Sequence, residues 1–199
     1  MDETFASAPP RIEDERTLVL RAQDGDVTAF EQIIDRVQGR LFRTAAMIVG
    51  DRQDAEDVVQ ETLLHAWKRI ELLEEPAALR TWLTRICTRR ATDLVRTRAR
   101  RGTDPGEDRD LEAAADAVLG AAGPAPDPAR AAELDAQTRA LHEVLSGIEV
   151  DLRTCWVLRE LEQLSYQEIA RIVGSSETTV RGRLARARAR VIERMEEWR

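Results

Sequence analysis

The chain has 199 residues, of which 43% are hydrophobic and 34% are charged, and its formal net charge is -7 at pH 7. These values predict a soluble globular protein of one large or two small domains. No apolar run approaches the roughly 20 residues needed to span a bilayer, and the amino-terminal sequence MDETFASAPP lacks a signal region. We therefore expect a cytoplasmic protein without membrane insertion.

Cysteine and histidine, the commonest zinc ligands, are scarce in this sequence. The cysteines are Cys87 and Cys155, the histidines are His65 and His142, and none has a second such residue at ligand spacing. Both thiols are therefore interpreted as reduced core residues. We expect neither a metal site nor a cofactor.

The charge is segregated along the chain. Residues 80–101 contain eight arginines and one aspartate, whereas residues 102–135 contain nine acidic residues and two arginines. A second basic block at 171–199 has eight arginines and four glutamates. Local patches, rather than the total charge, decide where a phosphate backbone is attracted. Two basic patches on either side of an acidic segment therefore favour a nucleic-acid ligand.

The amino-terminal half shows helical periodicity without the alternation typical of strands, which predicts an all-α fold. Residues 1–11 are expected to be disordered. A short helix is predicted over about 13–23 and a longer one over about 27–48, with a turn at 50–54.

The helix predicted over 54–70 has a core side and, opposite it, an acidic side with aliphatic residues among the acids. Such a surface suits a protein partner, because carboxylates can pair with basic residues around small apolar contacts. An ordinary acidic helix face with two stray aliphatics is an equally good interpretation of this helix alone. The candidate partner-binding residues are Asp54, Asp57, Val58, Gln60, Glu61 and Leu64.

The helix predicted over about 77–99 places Arg85, Arg89 and Arg96 along one edge, beside Trp82. Guanidinium groups for phosphates and an indole face for an unstacked base are typical of single-stranded DNA binding. Trp82 taken by itself is better explained as a core residue. The following residues, 102–132, are rich in Gly, Ala, Pro and Asp, and they are predicted to form a flexible acidic linker.

A second helical domain, predicted over 133–199, ends in a helix-turn-helix motif. Ser165 and Glu168 form a capping box, Gly174 permits a tight turn, and Ser175 or Ser176 can cap the next helix. That helix has five arginines between 181 and 190 and no acid among them. Its first turns, with Glu177, Thr178 and Arg181, are expected to meet base edges in a major groove.

Other functions fit the sequence less well. A basic solvated face on a helical hairpin would explain the arginines alone but not the capping box and turn. A stand-alone transcriptional regulator could share the helix-turn-helix, yet residues 1–101 lack the strand and helix alternation of a receiver domain. We expect no enzyme, because no nucleophile with a base and no glycine-rich phosphate loop is present. An adaptor that bound only protein would leave the arginines of 181–190 unexplained.

The sequence resembles the extracytoplasmic-function (group IV) sigma factors of bacterial RNA polymerase. Four segments carry the resemblance, and they look like regions 2.1, 2.2, 2.3 to 2.4 and 4 of that family: AFEQIIDRVQGRLFRTA at 29–45, DAEDVVQETLLHAW at 54–67, LRTWLTRICTRRATDLVR at 79–96 and LRELEQLSYQEIARIVGSSETTVRGRLARARAR at 158–190. The resemblance implies two small helical domains, sigma region 2 over 12–101 and sigma region 4 over 133–199, joined by the flexible acidic linker.

It also implies the partners. The acidic side of the 54–70 helix would dock on the beta-prime clamp helices of core RNA polymerase, and region 4 would touch the beta flap. The 71–78 loop and Trp82, with Arg85, Arg89 and Arg96, would capture the unpaired minus-ten strand of promoter DNA. An anti-sigma factor is a further partner that the family makes plausible, although no residue names it. The residues expected nearest the minus-thirty-five duplex are Ser176, Glu177, Thr178, Arg181, Arg183 and Arg186.

Two positions depart from the family pattern. The residue before Ser176 is usually aliphatic but is Ser175 here, which predicts a looser turn or an earlier start of the recognition helix. The Leu-Pro pair that commonly opens the first helix of region 4 is missing around 146–153.

Overall fold

The computed structural model describes residues 13–101 and 140–196, and in both parts the secondary structure is helical. Two short 3-10 turns, Ile70–Leu72 and Pro76–Ala78, connect the third and fourth helices. The helices of the first part are α1 (Glu15–Gln23), α2 (Val27–Val49), α3 (Arg52–Trp67) and α4 (Leu79–Arg101). Those of the second part are α5 (residues 140–146), α6 (Val150–Glu160), α7 (Tyr166–Val173) and α8 (Glu177–Glu196).

Short-range capping contacts explain why α2 and α3 begin where they do. The Asp26 carboxylate accepts a hydrogen bond from the backbone nitrogen of Ala29 at 3.1 Å. Asp51 does the same for the backbone nitrogen of Asp54 at 2.9 Å. Between the two helices Gly50 adopts a φ of 80°, in the left-handed region that glycine enters without steric cost.

The helix-turn-helix forms as its sequence predicts. Ser165 and Glu168 make both hydrogen bonds of the capping box, at 3.2 and 2.8 Å. Gly174 ends α7 with a φ of 64°. The Ser176 hydroxyl accepts from the backbone nitrogen of Thr179 at 3.1 Å, so Ser176 is the residue that caps α8. The recognition helix therefore starts at Glu177, and the earlier start that Ser175 suggested does not occur.

Ser175 instead carries an unsatisfied polar group, since its buried hydroxyl oxygen has no hydrogen-bond partner in the described part of the chain. Ser175→Ala is expected to raise the free energy of unfolding by about 1 kcal/mol, because a buried unpaired hydroxyl costs about 1–3 kcal/mol. Ser176→Ala is the matched control, and it should lower the free energy of unfolding by about 1 kcal/mol through loss of the cap. Urea denaturation measures both; a destabilised Ser175→Ala variant would contradict the interpretation.

The two helical domains are present, and they pack against each other. Buried residues of α5 and α6, among them Leu145 and Leu152, belong to the same apolar cluster as Leu18 and Ile33 of the first domain. A smaller cluster holds the helix-turn-helix together. The predicted disordered segment 1–11 and the predicted linker 102–132 lie outside the described residues.

Buried polar groups of the second domain pair with groups of the first. Glu162, which is 5% exposed, accepts hydrogen bonds from Arg40 Nε at 2.7 Å and from Thr44 Oγ1 at 2.6 Å. Arg153 of α6 is also buried and donates from Nη1 to the backbone oxygen of Ile48 at 2.8 Å. Removing one partner from such a pair leaves a buried group unpaired, so these contacts favour this packing over other arrangements of the two domains.

The cysteines are free and buried, as expected. Burial raises the pKa of Cys87 to about 12, and burial also raises the pKa of Cys155. Both thiols therefore stay protonated and unreactive near neutral pH. Among the described helices, none combines the length and the apolar character that crossing a bilayer requires.

Candidate nucleic-acid interface

The acidic side of α3 is exposed only in part. Asp57, Gln60 and Glu61 face solvent, and Leu64 beside them is 61% exposed. Glu61 also forms an ion pair with Arg90 of α4. We call the four exposed α3 residues Asp57, Gln60, Glu61 and Leu64 the docking surface. It presents carboxylates around one apolar contact, as a protein partner requires.

Asp54 and Val58 do not belong to the docking surface, although the sequence predicted that they would. Asp54 is 7% exposed and Val58 is 5% exposed. Arg98 of α4 binds the Asp54 carboxylate through both of its terminal nitrogens. Burial raises the pKa of Asp54 even though the Arg98 guanidinium opposes the shift. Asp54 therefore joins α3 to α4, Val58 belongs to the core, and both are covered by the protein itself.

A cavity of about 470 Å³ lies between α3 and α4, beside Trp82. Arg85 and Arg89 line it from α4, and His65 lines it from α3. Trp82 is partly buried against the core, as the core interpretation expects, and its role in binding a base stays a prediction. Burial lowers the pKa of His65, with a further contribution from the Arg90 guanidinium, so the imidazole is neutral at pH 7. An aromatic ring next to guanidinium groups gives this cavity the means to hold a base and its phosphate.

A second cavity, of about 330 Å³, lies between α4 and the helix-turn-helix, and we call it the interdomain cleft. Asp151 of α6 stands at its centre and accepts hydrogen bonds from Arg96 at 2.6 Å and from Arg183 at 2.7 Å. The prediction grouped Arg183 with the exposed residues of the recognition helix. It is half-buried and turned toward α6, because Asp151 neutralises it there.

The other predicted DNA contacts of the recognition helix are exposed to solvent. Arg181 and Arg186 are exposed on α8, as are the residues of its first turn, Ser176, Glu177 and Thr178. Tyr166 lies under two guanidinium groups, with the Arg159 carbon 5.3 Å and the Arg181 carbon 5.7 Å from the ring centre. Such cation–π contacts hold the Arg181 side chain at the edge of the exposed surface of α8.

Two acidic residues that connect the domains were not predicted from the sequence. Asp151 brings Arg96 of the first domain together with Arg183 of the second, and Glu162 holds Arg40 from the other domain. Each is an unremarkable acid within or next to an amphipathic helix. No local signal distinguishes Asp151 and Glu162, because these partners are distant in the sequence. Arg96 lies 55 positions from Asp151, and Arg40 lies 122 positions from Glu162.

Comparison with known families accounts for both halves. The family model described as "Sigma-70 region 2" matches residues 33–101. The model described as "Sigma-70, region 4" matches residues 138–191. The first covers the docking surface and the Trp82 cavity, and the second covers the helix-turn-helix.

Similar proteins agree with these matches. The RNA polymerase sigma-H factor of Pseudomonas aeruginosa is 32% identical over 88% of this chain and 91% of its own length. The ECF RNA polymerase sigma-E factor of Haemophilus influenzae is 34% identical over 87% of this chain and 91% of its own length.

A solved structure shares the fold. The sigma factor RpoE of Bartonella quintana, crystallised with the anti-sigma factor NepR, superposes with a TM-score of 0.63 and is 25% identical, over 85% of this chain and 98% of that one. The chain therefore belongs to the extracytoplasmic-function sigma factors of the sigma-70 family, which direct RNA polymerase to promoters and start transcription there.

Proposed function

We propose that this sigma factor binds core RNA polymerase through the docking surface and reads its promoter with α4 and α8. The observation that carries the proposal is the presence of two kinds of surface, an exposed acidic patch on α3 and exposed arginines on α4 and α8. The first two adjoin where Glu61 pairs with Arg90. It acts in the cytoplasm, by binding and without a catalytic step of its own.

Polymerase binding would rest on Asp57, Gln60, Glu61 and Leu64. The carboxylates pair with basic residues of the beta-prime clamp helices, and Leu64 supplies the apolar contact from which water is excluded. Since Asp54 and Val58 are buried, they contribute by holding α3 against the rest of the first domain.

Recognition of the minus-ten element would use the cavity beside Trp82. An unpaired base enters and stacks on the indole, while Arg85 and Arg89 bind the neighbouring phosphates. Binding an unstacked base stabilises the melted strand, so opening of the duplex needs no nucleotide hydrolysis. Arg96 would extend the same basic edge once its ion pair with Asp151 is broken.

Recognition of the minus-thirty-five element would use the first turns of α8 in the major groove. Ser176, Glu177 and Thr178 lie at its amino-terminal end, where side chains reach base edges. Arg181 would reach base edges with them, and Arg186, which is also exposed, would bind a phosphate that flanks the groove. Region 4 would also touch the beta flap of the polymerase.

The packed arrangement of the two domains is not the DNA-bound one in this proposal. Arg96 and Arg183 share the carboxylate of Asp151, and the guanidinium groups around it face into the interdomain cleft. A cavity of about 330 Å³ is far too small for duplex DNA. The domains must therefore separate before both arginines can reach phosphates.

An anti-sigma factor would act on the equilibrium between packed and separated domains. The related RpoE was crystallised with the anti-sigma factor NepR. A partner of this kind that binds the packed domains better than the separated ones would keep this sigma factor away from polymerase by mass action.

Transcription in vitro tests the proposed function. Purified core polymerase from the same bacterium is combined with a genomic library, with and without this protein. New start sites that share two spaced upstream motifs are the expected result. Tight duplex binding by the protein alone, with no initiation, would instead support a stand-alone regulator.

Replacing Arg181 and Arg186 together by alanine is expected to lower initiation at such a promoter at least about tenfold, since each contact to DNA contributes about 1–3 kcal/mol. The variant should still bind core polymerase, because its docking surface on α3 is unchanged. Arg190→Ala, near the other end of α8, is the control. A loss of polymerase binding in the double variant would contradict the assigned division of labour.

A further inference from the structure

The interdomain cleft carries more positive charge than its carboxylates neutralise. Five arginines line it, Arg85, Arg89, Arg96, Arg171 and Arg183, against the two acids Asp93 and Asp151. Arg96 and Arg183 bind Asp151. Across 13–101 and 140–196, the other three guanidinium groups donate no hydrogen bond and form no ion pair. Charge of one sign, gathered where two domains meet, favours an anion between them.

A second and independent feature of the cleft is an unsatisfied hydroxyl. Thr88 lines the cleft from α4 and is 2% exposed, and its Oγ1 has no partner in the described residues. Thr92, one turn further on, donates instead to the backbone oxygen of Thr88 at 2.8 Å. Buried hydroxyls are rarely left without a partner. The Thr88 Oγ1 is itself shielded from solvent, so it binds an acceptor oxygen of a ligand once the side chain rotates toward the cleft.

We propose that the interdomain cleft binds a small oligophosphate. Phosphate oxygens accept bidentate hydrogen bonds from guanidinium forks and a further one from a hydroxyl. Arg85 and Arg89 approach from α4 and Arg171 from α7, so the donors converge from two domains on one multiply charged anion. The cleft, of about 330 Å³, encloses a small molecule and excludes a duplex.

Such a ligand would regulate the sigma factor. Because the site is complete only while the domains are packed, the ligand stabilises the packed arrangement and opposes promoter binding. Binding of the ligand rests on the packing of the domains, whereas its effect on promoter binding rests on the domain separation in the proposed function. Titration without polymerase or DNA measures the first alone, so the two failures are distinguishable.

Isothermal titration of the full chain with sodium tripolyphosphate, without polymerase or DNA, tests the proposal. Thr88→Val and Arg171→Gln are the informative variants, because neither residue is among the predicted DNA contacts. Each is expected to weaken binding about tenfold through loss of a hydrogen bond to a charged group. Thr88→Val keeps the shape of the side chain and removes only its hydroxyl, so the variant should fold.

Arg190→Gln is the matched control, since Arg190 is an exposed arginine of α8 outside the cleft. It should bind tripolyphosphate as the wild type does. The proposal would be overturned if the wild type gave no binding, or if Arg190→Gln lost as much affinity as Arg171→Gln, which would indicate diffuse attraction. At constant free magnesium, tripolyphosphate should also inhibit initiation by the wild type more strongly than by Thr88→Val, and equal inhibition would count against the site.

Discussion

Replacing both Asp57 and Glu61 by arginine is expected to weaken the binding of this protein to core RNA polymerase. The two carboxylates are exposed one turn apart on α3, and Leu64 lies beside them. The double variant exchanges two negative charges for two positive ones facing a basic partner. Close charge pairs across protein interfaces contribute about 1.5–7 kcal/mol each, so affinity should fall at least about a hundredfold. Fluorescence anisotropy of labelled protein with core polymerase measures the loss.

Glu31→Arg is the matched control, because Glu31 is an exposed acid on α2 without an ion pair in the described structure. It should leave the affinity for polymerase unchanged. Glu61 also pairs with Arg90, so Asp57→Arg alone separates docking from any effect on the α3 and α4 contact. A double variant that still co-purifies with core polymerase would show that the docking surface lies elsewhere.

The helix-turn-helix was predictable because its boundaries are set by neighbours in the sequence. Ser165 and Glu168 satisfy each other three positions apart, and Gly174 supplies a conformation that few other residues adopt. Only the choice between Ser175 and Ser176 as the cap stayed open. Local hydrogen bonds of this kind can be inferred from a sequence without knowledge of the tertiary fold.

The docking surface was predictable only in part, because exposure depends on what packs against a helix. Helical angles placed Val58 at the margin of the acidic face and Asp54 within it. Both are buried in the structure, and Asp54 is bound by Arg98, which lies 44 positions further along the chain. A helical wheel describes the angles on α3 but does not show where α4 lies.

The packing of the two domains had no signal in the sequence. It depends on polar residues that are usually exposed, such as Glu162 and Arg153, whose burial is tolerable only because groups at the carboxyl-terminal half of α2 satisfy them. Two arginines that were assigned to different DNA elements, Arg96 and Arg183, thereby share one counter-ion.

A disulfide across the domain boundary is therefore expected to abolish initiation. Thr92 of α4 and Thr154 of α6 face each other with hydroxyl oxygens 3.3 Å apart, and both line the interdomain cleft. Side chains this close suit a disulfide, which needs β-carbons about 3.5–4.5 Å apart. The variant Thr92→Cys with Thr154→Cys should be inactive in transcription when oxidised and regain activity after reduction, because the cross-link prevents the domains from separating.

Thr92→Cys alone, treated with the same oxidant, is the control and should stay active. This control keeps both native thiols, so it shows whether Cys87 or Cys155 forms a cross-link of its own. Electrophoresis without reductant shows whether the cross-link has formed. Normal initiation by fully cross-linked protein would mean that the packed arrangement itself reads promoters. The ion pairs of Asp151 with Arg96 and Arg183 would then have no effect on initiation. Loss of initiation reversed by reduction would instead make separation of the domains a required step between free sigma factor and open promoter.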